Sequence, residues 1–139
     1  MSGTTEVRGA LLAWAFDVAG ANLPKATTAL ENAKFSPPAG RYYRLTFLPG
    51  EPIPAAIGSA AQNHYVGIFQ IDVFDPINQG DASTIIEAER IAKKLTRGSA
   101  LVYLGVTTNI EKSWRLPAIQ ETDRYHVPIR VQWWADIDN

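Results

Sequence analysis

Val7, Leu11, Trp14 and Val18 recur at spacings of four, three and four residues, laying one apolar stripe along the segment from Thr4 to about Val18. That period predicts an amphipathic helix. Ala10, Leu12, Ala15 and Phe16 widen the stripe, and Thr4 or Thr5 can cap the first amides. Glu6 falls where the helix dipole favours negative charge, and Gly20 can end the helix. A second helical period runs from Thr84 to Leu95, with Ile85, Ala88, Ile91, Ala92 and Leu95 on its apolar face. Asp81 or Ser83 can cap it, and Arg97-Gly98 supplies a basic last turn and a closing glycine. Between Ala21 and Gly40 the pattern is weaker. Pro24 can open a short helix through Leu30 and Lys34, before Pro37-Pro38-Ala39-Gly40 breaks the chain.

Elsewhere the period is two. Tyr43, Leu45 and Phe47 alternate with Tyr42, Arg44 and Thr46 in a strand from Arg41 to Phe47. Phe69, Ile71 and Val73 alternate with Ile68, Gln70 and Asp72 in the strongest strand, His64 to Phe74, which Asp75-Pro76 stops. Val127, Ile129, Val131 and Trp133 share one face of a last strand, Tyr125 to Trp134, opposite His126, Arg130, Gln132 and Trp134. The apolar run from Ala100 to Val106 predicts a buried strand. Leu48 to Gln62 reads as a long loop whose three prolines cannot donate to a ladder, and Thr107 to Asp123 as polar and irregular. No internal repeat is visible. The expectation is an α+β fold: a mixed or mainly antiparallel sheet of about four strands, two helices packed on one face, and the other face half covered. The 139 residues suit a single domain, 1–139.

Charge narrows the possibilities. Thirteen basic and fourteen acidic residues leave a net charge of −1, whereas a protein that grips phosphate backbones needs a basic excess. Near-neutrality and a charged fraction of 19% favour association through uncharged surface. There are no cysteines, so disulfides, thiolate nucleophiles and thiolate metal sites are excluded. No apolar run approaches ~18 residues and the first residues lack a basic leader, so neither a membrane nor export is expected.

Candidate chemistry is sparse. The ten glycines are scattered, with no phosphate-binding loop, and no G-x-S-x-G elbow occurs. His64 and His126 are the only histidines, and neither has the neighbours of a zinc site. Asp72 and Asp75 are the best carboxylate pair for a small metal-dependent nuclease, but Asp72 alternates outward on a strand and Asp75 precedes a turn proline. No catalytic, cofactor or metal residue is assigned, and no cofactor is expected. Arg90, Lys93, Lys94 and Arg97 form a basic stripe that suits a helix C-terminus and a Glu89–Lys93 pair; contact with an acidic neighbour or passing DNA is the sharper reading. Trp133 and Trp134 must face opposite sides of their strand, so one can enter the core while the other anchors an interface or a second small core.

The stretch Tyr65-Val66-Gly67-Ile68-Phe69-Gln70-Ile71-Asp72-Val73-Phe74-Asp75-Pro76, followed by Gly80 and a helix, resembles a phage family in which a G-x-x-Q-I-D-V strand leads through a proline–glycine turn into an amphipathic helix. The proline-bearing segment from Pro49 to Gly58 and the closing Val127-Pro128-Ile129-Arg130-Val131-Gln132-Trp133 strand fit the same layout. These elements are similar to the tail terminator proteins of long-tailed phages, of the minor tail protein U type. The resemblance implies a non-enzymatic α+β subunit that forms a homo-oligomeric, hexameric ring on a finished tail tube, stops its polymerisation and meets the head–tail connector. It implies assembly in the host cytoplasm, residence in the virion tail, and no sequence-specific nucleic acid or membrane partner. Monomeric behaviour in solution is compatible with such a ring. Another head–tail joining or tail completion protein shares the same size and character. The segments Leu48–Gln62 and Thr107–Asp123 are the candidate contacts with other subunits or the tube.

Overall fold

The computed structural model describes residues 4–54 and 62–138. Helix α1 spans Thr4–Phe16 and buries Val7, Ala10, Leu11, Trp14 and Ala15, as its stripe predicts. It ends before Val18, which is 79% exposed. The chain folds back there: the Ala21 amide donates to the Trp14 carbonyl at 3.1 Å and the Leu23 amide to Ala15 at 2.8 Å. Ala21 and Leu23 enter the core in place of Val18. Gly20 makes this reversal possible, because a Cβ there would lie 2.0 Å from the Trp14 carbonyl oxygen.

The helix expected after Pro24 does not form. Lys25–Thr27 make one 3-10 turn, and β1, Thr28–Ala29, pairs in parallel with Tyr43 and Arg44. Thr28 Oγ1 donates to the Pro24 carbonyl at 2.7 Å, and a β-branched residue beside an open strand edge gains more from the ladder than from a helical turn.

The remaining elements are β2 Tyr42–Pro49, β3 Ile53–Pro54, β4 Gln62–Pro76, α2 Ala82–Lys94, β5 Ala100–Tyr103, β6 Val106–Arg115, β7 Ile119–Gln120 and β8 Arg124–Asp138. The sheet runs β1-β2-β4-β8-β6-β5, with β3 alongside β4 and β7 alongside β8. Every pairing except β1–β2 is antiparallel. Its backbone is the β4–β8 pair, in unbroken register from Gln62↔Asp138 to Pro76↔Arg124. The fold is α+β, but six strands in the main path and two short ones correct the expected four.

Besides β1, which replaces the helix expected after Pro24, three further differences raise the strand count. The expected Leu48–Gln62 loop is strand at both ends: Leu48 and Pro49 continue β2, and Ile53 and Pro54 pair with His64 and Asn63. Its prolines sit on a sheet edge, where no ladder donor is needed; residues 55–61 lie outside the described residues. The run from Ala100 to Val106 is not one buried strand but a hairpin, turning through Leu104 (φ 50°) and Gly105 (φ 81°). In the expected irregular segment, β6 buries Val106, Thr108 and Ile110, and then a bulge at Glu111 shifts the register between Ile110 and Lys112 and breaks the alternation.

Tyr43, Leu45, Phe69, Ile71, Val73, Val127, Ile129, Val131 and Trp133 face one side of the sheet, and both helices cover that side in a single hydrophobic cluster. Ala88 and Ile91 of α2 and Leu95 just after it are buried there, flanked by half-buried Ile85 and Ala92. Trp133 is the tryptophan in the core. It stacks on Phe47 with centroids 5.5 Å apart and lies over its cross-strand partner Gly67, where a Cβ would meet its ring at 2.5 Å.

Candidate assembly surface

The second sheet face is covered at one end. Tyr42, Phe74 and His126 stack in sequence with 4.5 Å between successive centroids, and Phe35 tilts against Tyr42 at 5.6 Å. Arg44 lies over Phe74 and Arg124 over Tyr42. The Arg124 guanidinium also donates to the carbonyls of Pro38 and Gly40, which ties that segment to this end of the sheet. Asp72 therefore points outward, as its alternation predicts, yet is fully buried. It accepts from Arg44 at 3.3 Å and from Gln70 at 3.1 Å, and His126 Nε2 stands 3.7 Å away. Gln70 in turn accepts from Arg130. His126 Nδ1 comes within 2.9 Å of a Glu121 carboxylate oxygen, without the alignment of a hydrogen bond. His64, on the same face, stands 2.7 Å from Asp136.

Asp75 lies on the helix side of β4. The Arg41 fork donates to both its oxygens at 2.8 Å, and Thr84 of α2 donates at 2.6 Å. Burial alone would raise its pKa, but the hydrogen bonds from Arg41 and Thr84 outweigh burial and hold it below the usual carboxylate range. Glu87 repeats the arrangement: burial opposes ionisation, and hydrogen bonds from Arg90 and from the Tyr43 hydroxyl at 2.5 Å favour it. Burial, reinforced by that carboxylate, pushes the Tyr43 hydroxyl well up. Asp72 and Asp75 thus occupy opposite faces of one strand, each in its own arginine network, and do not converge into the nuclease pair. Among the described residues no three potential ligands are placed to hold a metal ion.

The basic stripe on α2 is partly neutralised. Arg90 is held by Glu87 and Arg97 stands 3.7 Å from Glu111. Glu89 pairs with Arg115 at 3.2 Å and not with Lys93. Lys93 and Lys94 remain exposed.

Uncharged surface is concentrated in two other places. At the far end of the second face, Leu48 and Ile53 are exposed and Val66, Ile68 and Trp134 half-buried. Trp134 faces His64 with ring centroids 5.4 Å apart, away from the core that holds Trp133. At the β5 edge, Val102 is 72% and Leu104 76% exposed. A trough of about 630 Å³ also opens between α2 and the end of β6, lined by Ala92, Trp114, Leu116 and Pro117 with Glu89, Lys93 and Arg115 at its rim. Trp114 was placed by sequence only in an irregular segment. Arg44 and Arg124 carried no signal of their own, because the register that sets them over Phe74 and Tyr42 is long-range.

The G-x-x-Q-I-D-V strand now has a physical account. Gly67 clears the Trp133 ring, half-buried Gln70 and buried Asp72 join the polar network of the second face, and Ile71 and Val73 enter the core. Compared with protein families, residues 6–133 match the model described as phage tail terminator protein. The chain is a structural protein of phage tails. Within that class it belongs to the phage tail terminator family. Solved structures share the fold, among them two that cover nearly the whole chain. One, a protein without a functional description, has a TM-score of 0.77 at 22% identity, covering 99% of this chain and 98% of that one. The other belongs to the virion of a native gene transfer agent particle, with a TM-score of 0.54 at 22% identity over 96% of this chain and 98% of its own. No curated protein matches.

Proposed function

We propose that the protein acts as a single domain and caps the phage tail tube as a homo-oligomeric ring, a hexamer in the virion, halting tube polymerisation and offering the head-side connector a docking surface. The observation that carries this reading is the match of residues 6–133 to the tail terminator family. The shape of the surface supports it. Leu48, Ile53, Val102 and Leu104 are exposed on a chain of net charge −1, so subunits can meet through apolar area with little repulsion. The work is done by fitting surfaces, without a catalysed reaction or cofactor. Assembly takes place in the host cytoplasm, and the protein then remains in the tail.

The test is tail assembly with and without the protein, viewed by electron microscopy. Tubes of uniform length bearing a ring at one end are expected with it, and overlong tubes without it. If tube length is independent of the protein while heads fail to join tails, the second reading, a head–tail joining or completion protein, replaces the first.

A further inference from the structure

We propose that free copies of the protein pair face to face about a two-fold axis at Trp134, each covering the bare half of the other's second sheet face. The pair is a contact of the protein off the tail and does not rest on the ring reading.

The strand register lays this half-face out in rows. Trp134 lies between Val66 of β4 and Asn109 of β6. Two residues back along β8, Gln132 lies between Ile68 and Lys112, with Leu48 beyond Ile68. Two further back, Arg130 lies between Gln70 and Trp114. In the other direction Asp136 lies beside His64, with Ile53 beyond it, and Asp138 lies beside Gln62. Trp134 is therefore central, with bases to one side of it along the strands and acids to the other.

These charges are not neutralised within the subunit. Arg130 donates to the uncharged Gln70, and Lys112 lies 4.8 Å over the Trp114 ring; neither forms an ion pair among the described residues. Asp138 accepts from the Gln62 amide at 3.2 Å, and Asp136 stands against His64. The neighbouring charges leave this division intact. Arg44 is paired with Asp72, and Glu111 stands 3.7 Å from Arg97. Glu31 and Glu51 lie at the outer edge of β2 and β3, exposed to water, where a charge counts for little.

Two sheets can meet face to face about a two-fold axis in two ways. An axis along the strands keeps each row at its own level, so the acidic half faces an acidic half. An axis across the strands reverses the rows. Arg130 and Lys112 then face the partner's acids, Trp134 meets its own copy, and Leu48 meets the partner's Ile53. Only this second arrangement is complementary in charge and apolar surface together. Packed sheets cross at about 30°, so halves are matched rather than single pairs. Five rows about 6.7 Å apart, across three to four strands about 4.8 Å apart, give a footprint of roughly 500–650 Å² per copy. Specific interfaces begin near about 600 Å² per partner. The pair is therefore weak and concentration-dependent, with Trp134 as its central anchor. A two-fold contact closes on itself, so association through this face stops at two and keeps Leu48 and Ile53 from further copies.

Charge exchange tests the arrangement. Lys112→Glu with Arg130→Glu makes the face acidic throughout, and Asp136→Lys with Asp138→Lys makes it basic throughout. Both double variants are checked for folding by circular dichroism, with Lys112→Glu and Asp138→Lys alone as substitutes where a double variant does not fold. Sedimentation velocity over a range of concentrations should show the unmodified protein dimerising. Each variant alone should associate more than about tenfold more weakly, and the two mixed should form a heterodimer. Lys93→Glu with Lys94→Glu on α2 should leave dimerisation unchanged. The chain has no cysteine of its own, so Asn109→Cys, in the row of the axis, should be joined to its own copy by a short bis-maleimide, and Val102→Cys should not. A protein that stays monomeric at every concentration overturns the pairing. So does association that the reversals leave unchanged, mixing without recovery, or dimerisation in which Asn109→Cys is not joined. Each of these results leaves the ring reading standing, since that is decided on tail tubes.

Discussion

Replacing Gly67 with alanine should unfold the protein more easily even though alanine is the better residue for an ordinary strand. The new Cβ would meet Trp133 Cζ2 at 2.5 Å and the Leu48 carbonyl oxygen at 2.6 Å. Neither neighbour can yield cheaply. Trp133 is fully buried and stacked on Phe47, and Leu48 belongs to β2, whose register with β4 runs unbroken from Tyr42↔Phe74 to Pro49↔Gly67. Overpacking of this kind costs about 1–3 kcal/mol. The reduced entropy of the unfolded chain returns about 0.4–1 kcal/mol, leaving a net loss of roughly 1–2 kcal/mol. With a urea dependence of about 1–3 kcal/mol per molar, the midpoint should fall by roughly 0.5–1 M. Tryptophan fluorescence through a urea titration measures it, and near-ultraviolet circular dichroism should report a displaced Trp133. Gly40→Ala is the matched control, because nothing lies within 4 Å of its Cβ, and its midpoint should hold or rise slightly. An unchanged or raised midpoint for Gly67→Ala would refute the claim that this glycine exists to admit the tryptophan.

Asp75→Asn should cost about 1.5–3 kcal/mol at neutral pH, since it removes the charge from the Arg41 fork. The folded pKa of Asp75 is depressed, so its contribution is fully present above the unfolded value near 4 and is lost as pH falls through the folded value. Denaturation curves of the wild type and the variant should therefore converge in acid. Tyr43→Phe should cost about 1–2 kcal/mol by thermal melting, because Glu87 loses a hydrogen bond at a half-buried site, and Glu87→Gln should weaken the effect in a double-mutant cycle. Leu104→Asn should raise the melting temperature, followed by circular dichroism, by relieving about 1–2 kcal/mol of left-handed strain.

Much of the fold was legible because it is local. The stripe of α1, the face of α2 and the alternations of β2, β4 and β8 need only neighbours three, four or two positions away, and apart from Val18 the apolar residues they name lie in the core or pack against it. The candidate site was legible only in fragments. The sequence could say that Trp133 and Trp134 part company. Only Gly67, brought opposite Trp133 by the β4–β8 register, decided which one is buried. Asp72 was readable as outward, but its burial depends on Phe35, Tyr42, Arg44 and Arg124 converging from distant segments. Asp75 looked like a turn residue until Arg41 and Thr84 were seen to hold it.

The amino-acid sequence by itself determined the α+β character, the two helical stripes, the absence of thiol chemistry and the near-neutral charge. Each is a property of composition or of spacing along the chain. Tertiary structure alone decided that Ala100 to Val106 is an exposed hairpin, that a bulge at Glu111 lets β6 continue through a segment without alternation, and that Asp72 and Asp75 belong to separate networks. The physical reason is common to all three. An apolar residue is buried, or a carboxylate paired, only by what the rest of the chain places against it, and edge position, register and coverage arise from contacts between residues far apart in sequence.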